Sequence, residues 1–154
     1  MNNGKEITEE RPSNQQVGNA GLYWVCYKLT LHGWNVLPTS RNARGVDIVI
    51  YNEDASVKRT VQVKTLSKRN AVPLGGHLGN LIADVMIIVR KPAVEPEAFL
   101  LTPSEVHSIV HRMEKDGRVS YWLEPKAYER ADFLDNWDKV WGEERKAGDS
   151  TSNT

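Results

Sequence analysis

The sequence predicts an α/β fold, an α/β/α sandwich around a central mixed β-sheet, and three observations carry that reading. Leu22, Val25, Cys26 and Leu29 recur at the i, i+3, i+4, i+7 spacing of an amphipathic helix, with Gly33 where such a helix stops. A series of short Val/Ile-rich runs follows, separated by joints of Gly, Pro and Asn. Thr102-Pro103-Ser104-Glu105 then forms a capping box with proline at the first helical position, so a second helix opens there. Helices before and after a set of strands cover both faces of one sheet.

Taken in order, residues 1–14 and 146–154 are too polar to order themselves and are expected to be mobile tails around one domain, 15–145. The first helix runs over about Gln16 to Leu29. Strands are expected at Trp34 to Leu37, Val46 to Tyr51, Lys58 to Thr65, Ala83 to Arg90 and Ala98 to Leu101. The run Asp84-Val85-Met86-Ile87-Ile88-Val89 is apolar throughout, as suits a strand covered on both sides. The second helix is expected from the capping box through about Lys115, ending at Asp116-Gly117. A short strand over Val119 to Leu123 and a last helix near Asp135 to Glu144 complete the chain, with Trp137 and Trp141 one turn apart and packed inward.

Lys plus Arg and Asp plus Glu each number 20 in the 154 residues, so no global basic field draws the protein to nucleic acid and any such contact is local. The one cysteine, Cys26, excludes an internal disulfide and a Cys-only zinc site. No apolar run reaches membrane-spanning length and Met1 to Arg11 lacks a signal-peptide core, which favours a cytoplasmic protein with no membrane partner.

Three polar residues interrupt these strands. Gln62 and Lys64 alternate with Val61 and Val63 and so share one face of their strand. A hairpin turn at Asn52 to Ser56 brings the segment Gly45-Val46-Asp47-Ile48-Val49-Ile50-Tyr51 alongside, and Asp47 with it. Buried without partners such groups cost free energy, so an acid, an amide and an amine at compatible spacing call for an explanation. Singly, each has an ordinary one: Asp47 as a turn residue, Gln62 and Lys64 as a solvated strand face.

Together with their surroundings these residues resemble the PD-(D/E)xK nuclease superfamily, in the variant where Gln replaces the second acid, as in Mrr-like restriction endonucleases. The order of the helix Gln16 to Leu29, His32-Gly33-Trp34-Asn35-Val36, Arg44-Gly45-Val46-Asp47, Gln62-Val63-Lys64 and Phe99 to Val106 is similar to small resolvase-like members from bacteria and their mobile elements. The resemblance spans roughly 15–142 and implies a restriction endonuclease-like fold and a metal-dependent DNA endonuclease. It implies Asp47, Gln62 and Lys64 as catalytic residues. Asp47, the Gln62 carbonyl and the Val63 backbone carbonyl would be ligands to Mg²⁺ or Mn²⁺, with Lys64 holding the attacking water or neutralising charge on the phosphate. In one respect the chain departs: where these proteins carry a Glu after the Ala-Gly pair of the first helix, it has Leu22.

Arg41, Asn42 and Arg44 precede the proposed site and Lys68 and Arg69 follow it, a basic surround suited to DNA phosphates. Leu74 to Asn80 reads as a flexible loop near the site. His107 and His111 stand one helical turn apart if the second helix continues, and Tyr23, Trp24 and Tyr27 suit the core better than a base-stacking platform. The leading expectation is a DNA-cleaving enzyme, for which a homodimer is a candidate assembly. The alternative is a weakened or inactive module on the same scaffold that binds DNA or a protein partner, and a structural subunit of a larger complex is the third.

Overall fold

The computed structural model describes residues 10–40 and 44–143. Of the expected tails, 1–9 and 146–154 lie outside these residues, whereas Ser13 is the cap of the first helix, α1 (Asn14–Leu31). The Gln16 N–H donates to the Ser13 hydroxyl at 3.2 Å, and the Ser13 N–H donates to the Gln16 side chain at 2.8 Å. This reciprocal pair satisfies donors that a helix start leaves open.

Eight strands follow among the described residues: β1 (Asn35–Pro38), β2 (Ile48–Tyr51), β3 (Lys58–Leu66), β4 (Val72–Gly75), β5 (Val85–Arg90), β6 (Glu97–Leu101), β7 (His111–Lys115) and β8 (Arg118–Leu123). The central sheet has the order β1-β2-β3-β5-β6. It is mixed, since β3 and β5 run parallel and the other neighbours antiparallel. This is the α/β class expected. All six residues of β5 are buried, including Arg90, as its continuous apolar run predicts.

Alternation along β3 and β5 divides the interior into two cores. Val61, Val85, Ile87 and Val89 pack with Val25 and Leu29 of α1, with Trp34, and with Trp137 and Val140 of a 3₁₀ turn over Trp137–Trp141. Trp137 lies 5.9 Å from Trp24 and 5.5 Å from His32, and Trp141 lies 4.1 Å from Trp34, so both tail tryptophans do pack inward, on 3₁₀ rather than α-helical backbone. Met86, Ile88, Phe99 and Leu101 form the second core with Val72, Val106, Leu123, Tyr128 and Phe133.

The second core is covered differently from the expectation. The second helix, α2 (Pro103–Ile109), starts at its capping box with Thr102 as cap but ends six residues before Lys115. The chain then forms β7 and β8, joined by Asp116 and Gly117 at φ of 53° and 74°. A two-residue turn with both residues at positive φ is the geometry that suits a tight hairpin, and Asp-Gly supplies it. Strand β4, whose Leu74 and Gly75 belong to the segment expected to be a loop, pairs with β8 to make a three-stranded sheet. That sheet, α2 and the short α3 (Pro125–Tyr128) together make the second layer. His107 and His111 therefore sit on different elements, and among the described residues no group of three or more His, Cys, Asp or Glu side chains is placed to hold a metal ion.

Two contacts fix the layers. A Cβ added to Gly21 would stand 1.9 Å from Thr65 Oγ1 and 2.7 Å from Thr65 Cβ, so only glycine lets α1 approach β3 this closely. On the other side, buried Arg90 pairs with Glu97 at 2.8 Å and with Glu129, which also binds Arg69 at 2.7 Å. Hydrogen bonding from Arg90 holds the Glu97 carboxyl below its ordinary value of 4.5, and bonding from Arg69, then Arg90, does the same for Glu129.

Two measurements check this packing. Gly21→Ala gains helix propensity but overpacks the α1–β3 contact, and chemical denaturation should show a net loss of about 1–3 kcal/mol. For Glu97 and Glu129 the folded pKa lies below the unfolded one, so their stabilisation is complete above the unfolded value and is lost as pH falls through the folded values. Thermal melts should therefore fall progressively below pH 4.5, and Glu129→Gln should flatten that dependence.

Candidate metal and phosphate site

Strands β2 and β3 part at Asp47, and the local backbone explains how. Ile48 is the register partner of Val61, yet the Asp47 N–H also donates to the Val61 carbonyl at 2.9 Å. Two residues of one strand thus oppose one of the other, the arrangement of a β-bulge. The Val46 carbonyl, which an unbroken ladder would turn to Val63, instead accepts from the Thr39 hydroxyl at 2.8 Å. The Val63 N–H is satisfied by the Asp47 carboxylate, donating to Oδ2 at 2.7 Å. The Asp47 carbonyl accepts from the Thr39 N–H at 2.9 Å, which ties the bulge to the end of β1.

The bulge places Asp47 in a cavity of about 410 Å³ on the α1 side of the sheet, lined with Leu22 and Asn19 of α1, Thr39 and Ser40, and Val63 and Thr65 of β3. Gln62 and Lys64, alternating with these, face the second layer. They line a neighbouring cavity of about 310 Å³ with Arg44, Gly45, Leu74, Asn80 and Leu81. A Cβ on Gly45, whose φ is 74°, would stand 2.6 Å from the Asn80 carbonyl, so the two loops that frame this cavity touch backbone to backbone. The single pocket expected for Asp47, Gln62 and Lys64 is thus two cavities, one on each side of the β3 backbone at Val63. Gln62 and Lys64 come together; Asp47 meets Val63 but does not share their cavity.

Charge is distributed unevenly over the two. Among the described residues neither Arg44 nor Lys64 forms an ion pair, which leaves two cations around one cavity without an acid beside them. Arg69 is instead bound to Glu129 through two nitrogens, at 2.7 and 3.1 Å, and stands with Asn70, Pro125 and Lys126 in a different hollow. Its expected place in the basic surround is taken by this ion pair, which sequence alone does not reveal because the partner lies on α3's far end. Lys68 is exposed, and Arg41 and Asn42 lie outside the described residues. Residues that sequence reasoning missed are Thr39, which anchors the bulge, and Asn19, a polar group that α1 brings to the Asp47 cavity; Asn80 comes from the loop expected near the site.

The chemistry of the donors suits a hard divalent ion. Oδ1 of Asp47 makes no hydrogen bond among the described residues, and the carbonyl of Val63 leaves its strand on the same edge as the N–H that Asp47 binds. One carboxylate with one neutral oxygen, completed by water and phosphate, is a usual way for proteins to hold Mg²⁺.

The Val63 contact predicts a graded response to substitution. Asp47→Asn keeps a carbonyl oxygen for the Val63 N–H and should melt close to the unmodified chain. Asp47→Ala orphans that donor and should cost about 1–3 kcal/mol in denaturation.

No protein-family model matches the chain, and no curated protein matches it. Among solved structures it is similar to a bacterial homing endonuclease, I-Ssp6803I, with a TM-score of 0.61 and 14% sequence identity, over 92% of this chain and all of that one. At that identity the likeness is one of fold, and it extends over nearly the whole chain.

Proposed function

We propose that the chain is a metal-dependent DNA endonuclease-like protein of the PD-(D/E)xK type in its QxK form, hydrolysing phosphodiester bonds with Asp47, Gln62 and Lys64 at its centre. The observation that carries this reading is a carboxylate pinned to the backbone of β3 one residue from a lysine that, among the described residues, no acid neutralises. The fold it shares with a homing endonuclease supports it.

In this reading Asp47 and the Val63 carbonyl would hold Mg²⁺ or Mn²⁺ on the α1 side, whereas Gln62 stands beside Lys64 on the other side of β3. The bound ion would lower the pKa of water and offset charge on the phosphate. Lys64 neutralises charge that builds on the scissile phosphate, which is worth most where water is scarce. Arg44 positions the strand by a phosphate contact, joined by Arg41, Asn42 and Lys68. DNA is the substrate class proposed, since the surround is cationic and sequence-neutral in its chemistry.

A second reading has specific support. Leu22 puts an apolar side chain in the Asp47 cavity, and Asp47 and Gln62 stand in different cavities. A scaffold that binds DNA without cutting it fits those two facts.

One experiment separates the readings. Purified chain with supercoiled plasmid and Mn²⁺ or Mg²⁺ should produce nicked circles, and Asp47→Asn and Lys64→Ala should each reduce the rate at least a hundredfold, on the order expected for removing one transition-state stabiliser. Absence of cleavage with salt-sensitive DNA retention supports the second reading, and equal cleavage by both variants removes the assignment of the centre.

A further inference from the structure

The hairpin β7–β8 separates its charges by face. Register pairs are His111↔Trp122, Met113↔Ser120 and Lys115↔Arg118, alternating with Arg112↔Tyr121 and Glu114↔Val119. Alternation puts His111, Met113, Lys115, Arg118, Ser120 and Trp122 on one face. Two side-chain contacts agree with that assignment: Trp122 Nε1 donates to the Ser120 hydroxyl at 3.0 Å, and Arg112 binds Glu114 at 3.3 Å. Leu123 and Val72, on the Arg112 face, are buried in the second core, so the Lys115 face looks outward. It carries two fixed cations, a histidine and an indole, and no acid from either strand; Asp116 lies in the turn. Every residue of β7 is exposed.

We infer that this outward face of β7–β8 is a docking ribbon for duplex DNA, with Lys115 and Arg118 binding phosphates. The inference rests on the reading that the chain acts on DNA. Charge complementarity selects a polyanion. A two-stranded ribbon fits the major groove of B-form DNA, about 12 Å wide, whereas the deep, narrow major groove of an RNA duplex does not admit it. The ribbon belongs to the same small sheet as β4, whose Leu74 lines the Lys64 cavity.

The test is fluorescence anisotropy of a labelled duplex with the full chain in EDTA, across a salt series. Removing two phosphate contacts in Lys115→Ala/Arg118→Ala should lower the slope of log affinity against log salt by about 2. Arg112→Ala, on the opposite face, should leave the slope unchanged, and circular dichroism melts should show all three chains folded. An unchanged slope in the double variant overturns the inference, as does absence of duplex binding by the unmodified chain. A changed oligomeric state in sedimentation with no change in DNA binding also overturns it, and marks the ribbon as a contact between copies. The two readings fail separately: ribbon-dependent binding without plasmid nicking removes the endonuclease proposal alone, and Asp47-dependent nicking with normal binding by the ribbon variant removes the ribbon alone.

Discussion

The hydrogen bond from the Val63 N–H to the Asp47 carboxylate closes β3 at the point where β2 leaves it, and the site depends on that closure. A backbone donor on a central strand needs a partner. Because the bulge turns the Val46 carbonyl to Thr39, an acidic side chain supplies the acceptor. The same bond fixes one oxygen of the carboxylate and leaves the other for a ligand. A structural need and a chemical capacity thus meet in one residue, which is why its removal by alanine and its conversion to asparagine have different consequences.

The second constraint is the two-sidedness of β3. Its odd-numbered residues lie against α1 so tightly that Gly21 has no room for a side chain, and its even-numbered residues border the second layer. A group on either face approaches the same backbone, so Asp47 and Lys64 can be near neighbours in sequence register and still open to different cavities. Leu22 extends the apolar side of this division into the Asp47 cavity.

Much of the central sheet was legible because burial leaves Val/Ile runs, and turn residues mark their ends. The caps of α1 and α2 are local, and the Thr102 to Glu105 box is visible as such. The second layer was not. Val106, Ile109, Val110 and Met113 fit a helical period, so Asp116-Gly117 reads as a helix stop when it is the turn of a hairpin. What decides between them is the pairing of β8 with β4, a contact between distant segments. The residues of the site were legible as chemistry, but their placement was not: strict alternation cannot show an extra residue at Asp47, nor can local charge show that Glu129 holds Arg69.

Whether Asp47 binds a divalent ion decides between the two readings of the site. Electron paramagnetic resonance of free Mn²⁺ titrated with the folded chain measures this without reference to DNA or turnover. The expected result is a bound Mn²⁺ that Mg²⁺ displaces and that is lost in Asp47→Asn while the variant's melting temperature is kept. Binding of equal strength in Asp47→Asn, or none in the unmodified chain, would contradict it.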